Sequence, residues 1–331
     1  AGFLPWREWP ALRPLSRLWR HGGGLLLFHA HPGPAQRRLL RARRDTLDRA
    51  LPVIRAGLEA SAVASAFHPT VDQAAGDAAW RQLNEALSVG ASSGVQVDFG
   101  SRVGRVRYFY RHVPVRCWHV PHVLLSGDPL ARRVLPDLCY PVVDRGSPGG
   151  GGASGAPPCR VASLGGGPGF DALGLALLAA MEHLRVRFEV TSYDFEEGWE
   201  EIVRAVDADI CSALGHAARF GRCDITEGLF SPGCNAELAA AAGSFDLFVA
   251  AYVVAENARG LEATGCAFFC ELFASARPGA AFLFLDATHR QWPRLVALAQ
   301  GLGDFEVSLP RAEPGQGRGF PRHALLLRKG R

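Results

Sequence analysis

The chain has 331 residues, 48% of them hydrophobic, with 36 basic and 32 acidic side chains and a formal net charge of +4. That apolar content can fill one large α/β core or two smaller ones, and it excludes a disordered or fibrous chain. A membrane role is not expected, because no window reaches the ~18 to 20 uninterrupted apolar residues of a span, and the strongest, residues 237–257, is broken by Gly243, Ser244 and Asp246.

The positive charge is local. The first sixty residues hold eleven arginines against Glu8, Asp45, Asp48 and Glu59, so this end is +7 and the remainder −3. Lys329 is the single lysine, which makes almost every cation an arginine, the side chain whose planar fork suits phosphate. A GC-rich coding sequence yields the same bias. Eight cysteines form no C-x-x-C pair and no dense framework, which predicts reduced thiols in an intracellular compartment and no structural zinc.

In chain order, residues 34–67 and 77–89 carry helical periodicity. Residues 93–100 and 103–115 read as short β-like pieces, followed by a helix near 128–138. Within "RHVPVRCWHVPHV", His112, His119 and His122 lie near Cys117, but Pro114 and Pro121 predict extended backbone that does not gather ligands on one helical face. Structural or surface histidines are expected there. The stretch "RGSPGGGGASGAPP", residues 145–158, has no side chain able to join a core and reads as a linker. This divides the chain into a mainly helical, basic region at 1–144, the linker at 145–158, and a domain at 159–331.

Beyond the linker, strand and helix alternate. Strands are expected at 159–165, 187–195, 218–225, 244–254 and 279–288, and helices at 170–184, 199–214, 260–276 and 292–302. The last two strands, 305–310 and 323–329, are joined without a helix and predict an antiparallel closing hairpin. The fold class expected is α/β, a doubly wound, mostly parallel seven-stranded sheet with helices on both faces. Ligands of such sheets sit at the carboxyl ends of the strands.

Gly165, Gly166, Gly167 and Gly169 fall between the first of these strands and its helix, where bare backbone N–H groups can meet a ligand. The run is G-x-G-x-G, with Phe170 where a dinucleotide loop needs glycine or alanine, and no Gly-Lys-Ser/Thr follows. Pyrophosphate and Walker-type binding are thereby disfavoured.

The residues resemble the class I S-adenosylmethionine-dependent methyltransferases over about 170 positions, 160–331. "VASLGGGPG" matches their first motif, Asp194 in "VTSYDF" the acid ending the second strand, and Asp224 with Ile225 in "RCDITEG" the third landmark. "FDLFVAAYVVAEN" and "RPGAAFLFLD" follow in the family's order. The resemblance implies S-adenosyl-L-methionine as cofactor. Gly165, Gly167 and Gly169 would admit its amino-acid tail, Asp194 would accept the ribose hydroxyls, and Asp224 with Ile225 would hold the adenine. One departure is Ser163, where many members carry an acid two residues before the first glycine.

Methyl transfer is an in-line displacement that needs alignment and, for a weakly acidic acceptor, a base. The family's Asn/Asp-Pro-Pro-aromatic amine motif is missing after the fourth strand. Tyr252, Glu256 and Asn257 stand there instead, able to stack a base, take a ring N–H proton and orient a carbonyl. Helix capping by Glu256 and Asn257 is the plainer alternative. "YFYRHVPV", "SLGGGPG", "YDFEEGWEEI" and "YVVAEN" are also similar to the fungal large-subunit ribosomal RNA uridine-N3 methyltransferases. That similarity implies an RNA partner, with ribosomal RNA the first candidate, gripped by the Arg-rich N-terminal region, with Glu256 as base, in a nuclear, nucleolar or organellar setting.

Other functions compete. A methyltransferase fold kept as an inactive structural or assembly subunit of a ribonucleoprotein would tolerate Ser163, and a protein or small-molecule acceptor would make the basic N-terminus incidental. "HGGG" at 21–24 and "GASSG" at 90–94, with Ser92, resemble hydrolase motifs, yet a helix precedes and a strand follows Ser92, the reverse of a nucleophile elbow.

Overall fold

A computed structural model describes residues 78, 81–87, 98–139, 157–311 and 321–330. The Arg-rich first sixty residues, the expected helix at 34–67, both hydrolase-like motifs and nearly all of the linker lie outside the described residues.

Strands β1 (Cys159–Leu164), β2 (Phe188–Asp194), β3 (Ala217–Arg222), β4 (Leu247–Ala251), β5 (Ala281–Asp286), β6 (Phe305–Ser308) and β7 (His323–Lys329) form one sheet of order β3-β2-β1-β4-β5-β7-β6. β1 to β5 run parallel, and β7 enters antiparallel between β5 and β6. The sheet is therefore mixed, with the closing hairpin as its antiparallel part. The central strands β1, β4 and β5 are near-continuous apolar runs because both of their faces are covered. Alternate residues serve opposite layers: Leu247 and Val249 join one core cluster, Phe248 and Ala250 the other. Strand order reverses at β1, which lies between β2 and β4, and such a reversal opens a crevice at the strand carboxyl ends.

Helices α1 (Arg102–Arg116), α2 (His119–Leu124) and α3 (Ala131–Cys139) precede the sheet and share one apolar cluster with α4 (Phe170–Met181) and α5 (Glu200–Val206). The contact is close. A Cβ on Gly174 of α4 would stand 1.9 Å from the Cys117 carbonyl oxygen, so only glycine lets the α1–α2 turn settle there. On the opposite face lie α6 (Ala236–Ala241), α7 (Val253–Glu256), α8 (Ala258–Ala263), α9 (Ala267–Ser275) and α10 (Trp292–Leu302), around a phenylalanine-rich core.

Several expectations are corrected. Residues 103–115 are helical, not β-like: Ser101 caps α1 by accepting from the Gly104 N–H at 3.2 Å, and the buried positions Arg105, Tyr108, Phe109 and Val113 recur at helical spacing. Residues 98–100 have no regular structure. The histidine segment is helical rather than extended, since Pro121 sits in the first turn of α2, where a backbone donor has no partner to lose. The expected helix 260–276 breaks at Gly265 and Cys266, both left-handed, into α8 and α9. β4 stops at Ala251 because Tyr252 is left-handed as well.

All eight cysteines are unpaired. Among the described residues no helix is long and apolar enough to cross a membrane, and no His/Cys/Asp/Glu group could hold a metal ion.

Candidate functional site

A cavity of about 350 Å³ opens at the carboxyl ends of the central strands, at the lower end of the ~300 to 1,000 Å³ usual for small-molecule sites. Eight of the nine residues singled out in the sequence line it: Gly165, Gly167, Asp194, Asp224, Ile225, Tyr252, Glu256 and Asn257. The ninth, Gly169, is buried beneath as the N-cap of α4.

The glycine turn is left-handed at Gly165 (φ +61°), Gly167 (φ +49°) and Gly169 (φ +81°). Each conformation is cheap only for glycine. Gly165 has a second constraint, because a Cβ there would stand 2.4 Å from Val253 Cγ2. A Cβ on Gly167 would meet nothing nearer than Trp199 at 3.9 Å, so the Gly167 backbone faces open cavity.

Asp194, the last residue of β2, accepts from the Gly167 N–H at 2.9 Å through Oδ2 and from the Glu196 N–H at 3.0 Å through Oδ1. Burial pushes its carboxyl up to about 6, against the pull of those two N–H groups. Asp224 follows β3. Its Oδ1 accepts from the Thr226 N–H and hydroxyl at 2.8 and 2.6 Å, while its backbone is fixed by Asn235, which accepts from the Asp224 N–H and donates to its carbonyl.

Ser163 is fully buried in β1, and its hydroxyl donates to Asp171 Oδ2 at 2.6 Å. Asp171 lies in the first turn of α4, also buried, and burial raises its carboxyl to about 6 although the Ser163 hydroxyl favours the anion. A carboxylate thus stands behind the glycine turn, supplied from eight residues downstream of Ser163.

Another wall is the turn after β4, which touches the glycine turn through Val253 and Gly165. Tyr252 (φ +65°) begins α7 and donates its N–H to the Leu285 carbonyl at 2.7 Å. Asp286, ending β5, holds the same turn by accepting from the Ala255 N–H at 2.9 Å. Asn257 is the N-cap residue of α8 but makes no side-chain cap bond to it; its Nδ2 donates instead to the Val253 carbonyl at 2.9 Å, in the preceding turn. Glu256 is half-buried, and its carboxyl is raised to about 7, chiefly by burial, with Arg116 opposing and Asp286 and Asp194 adding.

Other side chains of the cavity were not singled out as site residues, although Tyr108 and Trp199 lie within "YFYRHVPV" and "YDFEEGWEEI". Asp98, Phe99, Tyr108 and Arg116 line the cavity from α1 and the segment before it, and Trp199 lines it from the turn after β2. Phe99, Tyr108 and Trp199 form an aromatic wall with centroids 5.1 to 5.6 Å apart. The buried Arg105 ties this wall down, donating to the Phe99 and Gly100 carbonyls at 2.7 and 2.9 Å and pairing with Glu196 at 3.2 Å. The Arg116 guanidinium lies 4.4 Å from the Tyr252 ring centroid and 5.2 Å from that of Tyr108, and donates to the Tyr108 hydroxyl. The similarity carried by "YFYRHVPV" includes Tyr108 and stops one residue before Arg116.

Fold and site together describe an α/β protein with a crevice at its strand-order reversal, walled by glycine backbone, carboxylates and aromatic rings. No family model and no curated protein matches the chain. Solved structures similar to it include an S-adenosylmethionine-dependent methyltransferase from Methanosarcina mazei, 14% identical with a TM-score of 0.36, over 52% of this chain and 93% of that one. A mutant of the 16S rRNA (adenine(1408)-N(1))-methyltransferase from Catenulisporales acidiphilia is 17% identical with a TM-score of 0.34, over 51% and 86%. An O-methyltransferase family protein from Burkholderia thailandensis is 13% identical with a TM-score of 0.39, over 85% and 71%. Likenesses at this level define neither an activity nor a ligand for this chain.

Proposed function

We infer that the chain is an S-adenosylmethionine-dependent methyltransferase acting on a ring nitrogen of an RNA base, in ribosomal RNA. In this reading residues 1–144 hold the substrate and 159–331 the cofactor. The observation that carries it is the convergence of the glycine turn, the carboxylates of Asp194 and Asp224, and the Tyr252–Asn257 turn on one cavity.

The residues present fit the cofactor. Gly167 offers backbone with no side chain above it, Asp194 and Asp224 offer acceptors for hydroxyl and amino groups, and the wall of Phe99, Tyr108 and Trp199 offers π faces. When bound, the cofactor supplies an electrophilic methyl group on a sulfonium. Tyr252 stacks the acceptor base. Glu256, with a proton affinity near neutrality, takes the ring N–H proton at its carboxylate.

The reading as an inactive assembly subunit leans on Ser163 and on the missing Pro-Pro acceptor motif; Ser163 is buried and bonded to Asp171. The test pairs titration calorimetry with S-adenosylhomocysteine and transfer of tritiated methyl groups to total RNA from cells lacking the gene. Binding that disappears in Asp194→Ala, and label that enters the deletion-strain RNA but not wild-type RNA, are expected. Unchanged binding by Asp194→Ala sinks the site assignment, and binding without transfer sinks the RNA substrate.

A further inference from the structure

Two opposite charges face the cavity without meeting. Arg116 and Glu256 both line it, and each biases the other's ionisation. Arg116 nevertheless forms no ion pair within 4.0 Å with any described carboxylate, and of its several donors only one is spent, on the Tyr108 hydroxyl. A guanidinium withdrawn from water is costly unless a counter-charge is near. Burial works against its charge, and the surrounding Tyr108, Glu256, Tyr252 and Asp286 outweigh that and keep it protonated. Its guanidinium carbon lies over the rings of Tyr252 and Tyr108, and swinging out to bulk solvent gives up both contacts. The result is a charged donor set at the end of α1, lining the same cavity as Glu256.

On the methyltransferase reading above, we propose that Arg116 is a catalytic residue that holds the negative charge left on the acceptor when its ring N–H proton passes to Glu256. The N–H electron pair stays with the base and spreads onto the adjacent carbonyl oxygen, and the guanidinium donates to that oxygen. The ring nitrogen then forms its bond to the methyl carbon while the carbon–sulfur pair leaves with sulfur, converting the sulfonium to a neutral thioether. The acceptor class this selects is an acidic ring N–H flanked by a carbonyl. An exocyclic amine, which develops no anion, would gain nothing from Arg116.

The decisive measurement does not need turnover. 5-Nitrouridine, whose ring N–H is ionised at neutral pH, and uridine, whose ring N–H is not, are titrated into the wild-type protein, Arg116→Gln and Arg116→Lys, with S-adenosylhomocysteine binding and thermal melting as controls of fold. The wild type is expected to prefer the ionised nucleoside at least tenfold. Arg116→Gln should lose that preference while binding S-adenosylhomocysteine within about twofold of wild type, and Arg116→Lys should keep part of it. Methyl transfer by Arg116→Gln should fall about 10² to 10³-fold, as for loss of a donor to a developing oxyanion. Equal binding of the two nucleosides by wild type, no binding of the ionised one, or an unchanged preference in Arg116→Gln overturns the proposal, whatever the activity. An Arg116-dependent preference in a protein that methylates no RNA would leave Arg116 as an anion-binding residue only, and would overturn both its catalytic role and the RNA substrate.

Discussion

Gly165 and Gly167 are two residues apart in one turn, and the structure gives them different reasons to be glycine. Alanine at 165 incurs the left-handed backbone cost of about 1 to 2 kcal/mol at φ +61°. Its methyl would also lie 2.4 Å from Val253 Cγ2 and 2.6 Å from Val253 Cβ, far inside the ~3.5 to 4.0 Å of ordinary carbon contact. Relieving such an overlap in a packed site costs about another 1 to 3 kcal/mol, so Gly165→Ala should lose about 2 to 5 kcal/mol. Alanine at 167 (φ +49°) meets only Trp199 at 3.9 Å and should lose only the backbone term, about 1 to 2 kcal/mol. Its methyl enters the cavity, so its S-adenosylhomocysteine affinity should fall further than its stability. The assay is urea unfolding of both variants and of each combined with Val253→Gly, which deletes the three atoms nearest the methyl at 165. Val253→Gly should recover the steric part in the Gly165→Ala background, a coupling of about 1 to 3 kcal/mol, and nothing in the Gly167→Ala background. Equal losses for the two alanine variants, or the absence of that coupling, would refute the division of roles.

Glu256 acts as base only when ionised. With its carboxyl near 7, kcat/KM for methyl transfer should climb as pH rises to about 7 and then level; Glu256→Gln should lose both that limb and about 10² to 10⁴-fold in rate. A pH-independent wild-type rate would count against this role. The Asp171 carboxyl, raised from 3.8 to about 6 in the fold, keeps its proton after the unfolded chain has lost it. Its contribution therefore erodes as pH rises from about 4 to about 6. Asp171→Asn, which can still accept from Ser163, should be more stable than wild type by a margin growing across that window to about 3 kcal/mol, and a margin that shrinks with rising pH in paired melts would reverse the argument. Arg105→Ala removes the donor that anchors the Phe99 and Gly100 carbonyls. Calorimetry should record a loss of S-adenosylhomocysteine affinity of about tenfold or more, because one cavity wall is released; unchanged affinity would mean that this wall does not touch the ligand.

What was legible in the sequence is what is local. The glycine turn, Asp194 and Asp224 are written in short strings whose backbone context, a buried strand entering a helix or loop, is set by the neighbouring residues, and the alternation beyond residue 158 dictates the layered sheet. The α1 segment was illegible for a physical reason. Val103, Val106, Tyr108, Phe109, Tyr110, Val113 and Val115 are β-branched or aromatic, the residue types that favour a strand. The helix forms because Tyr108, Phe109 and Val113 find the apolar face of α4 and the sheet, at sequence separations no short window contains. A buried arginine inside that stripe, Arg105, further obscures its period. Because α1 is a helix, its last residue, Arg116, reaches the cavity beside Tyr252 and within the field of Glu256. On a strand, residues 108 and 116 would be separated by roughly 26 Å and could not share the guanidinium–hydroxyl contact seen here. The charge that opposes Glu256 is thus a consequence of the helical state of α1, and disrupting that helix should weaken the site as surely as substituting Arg116 itself.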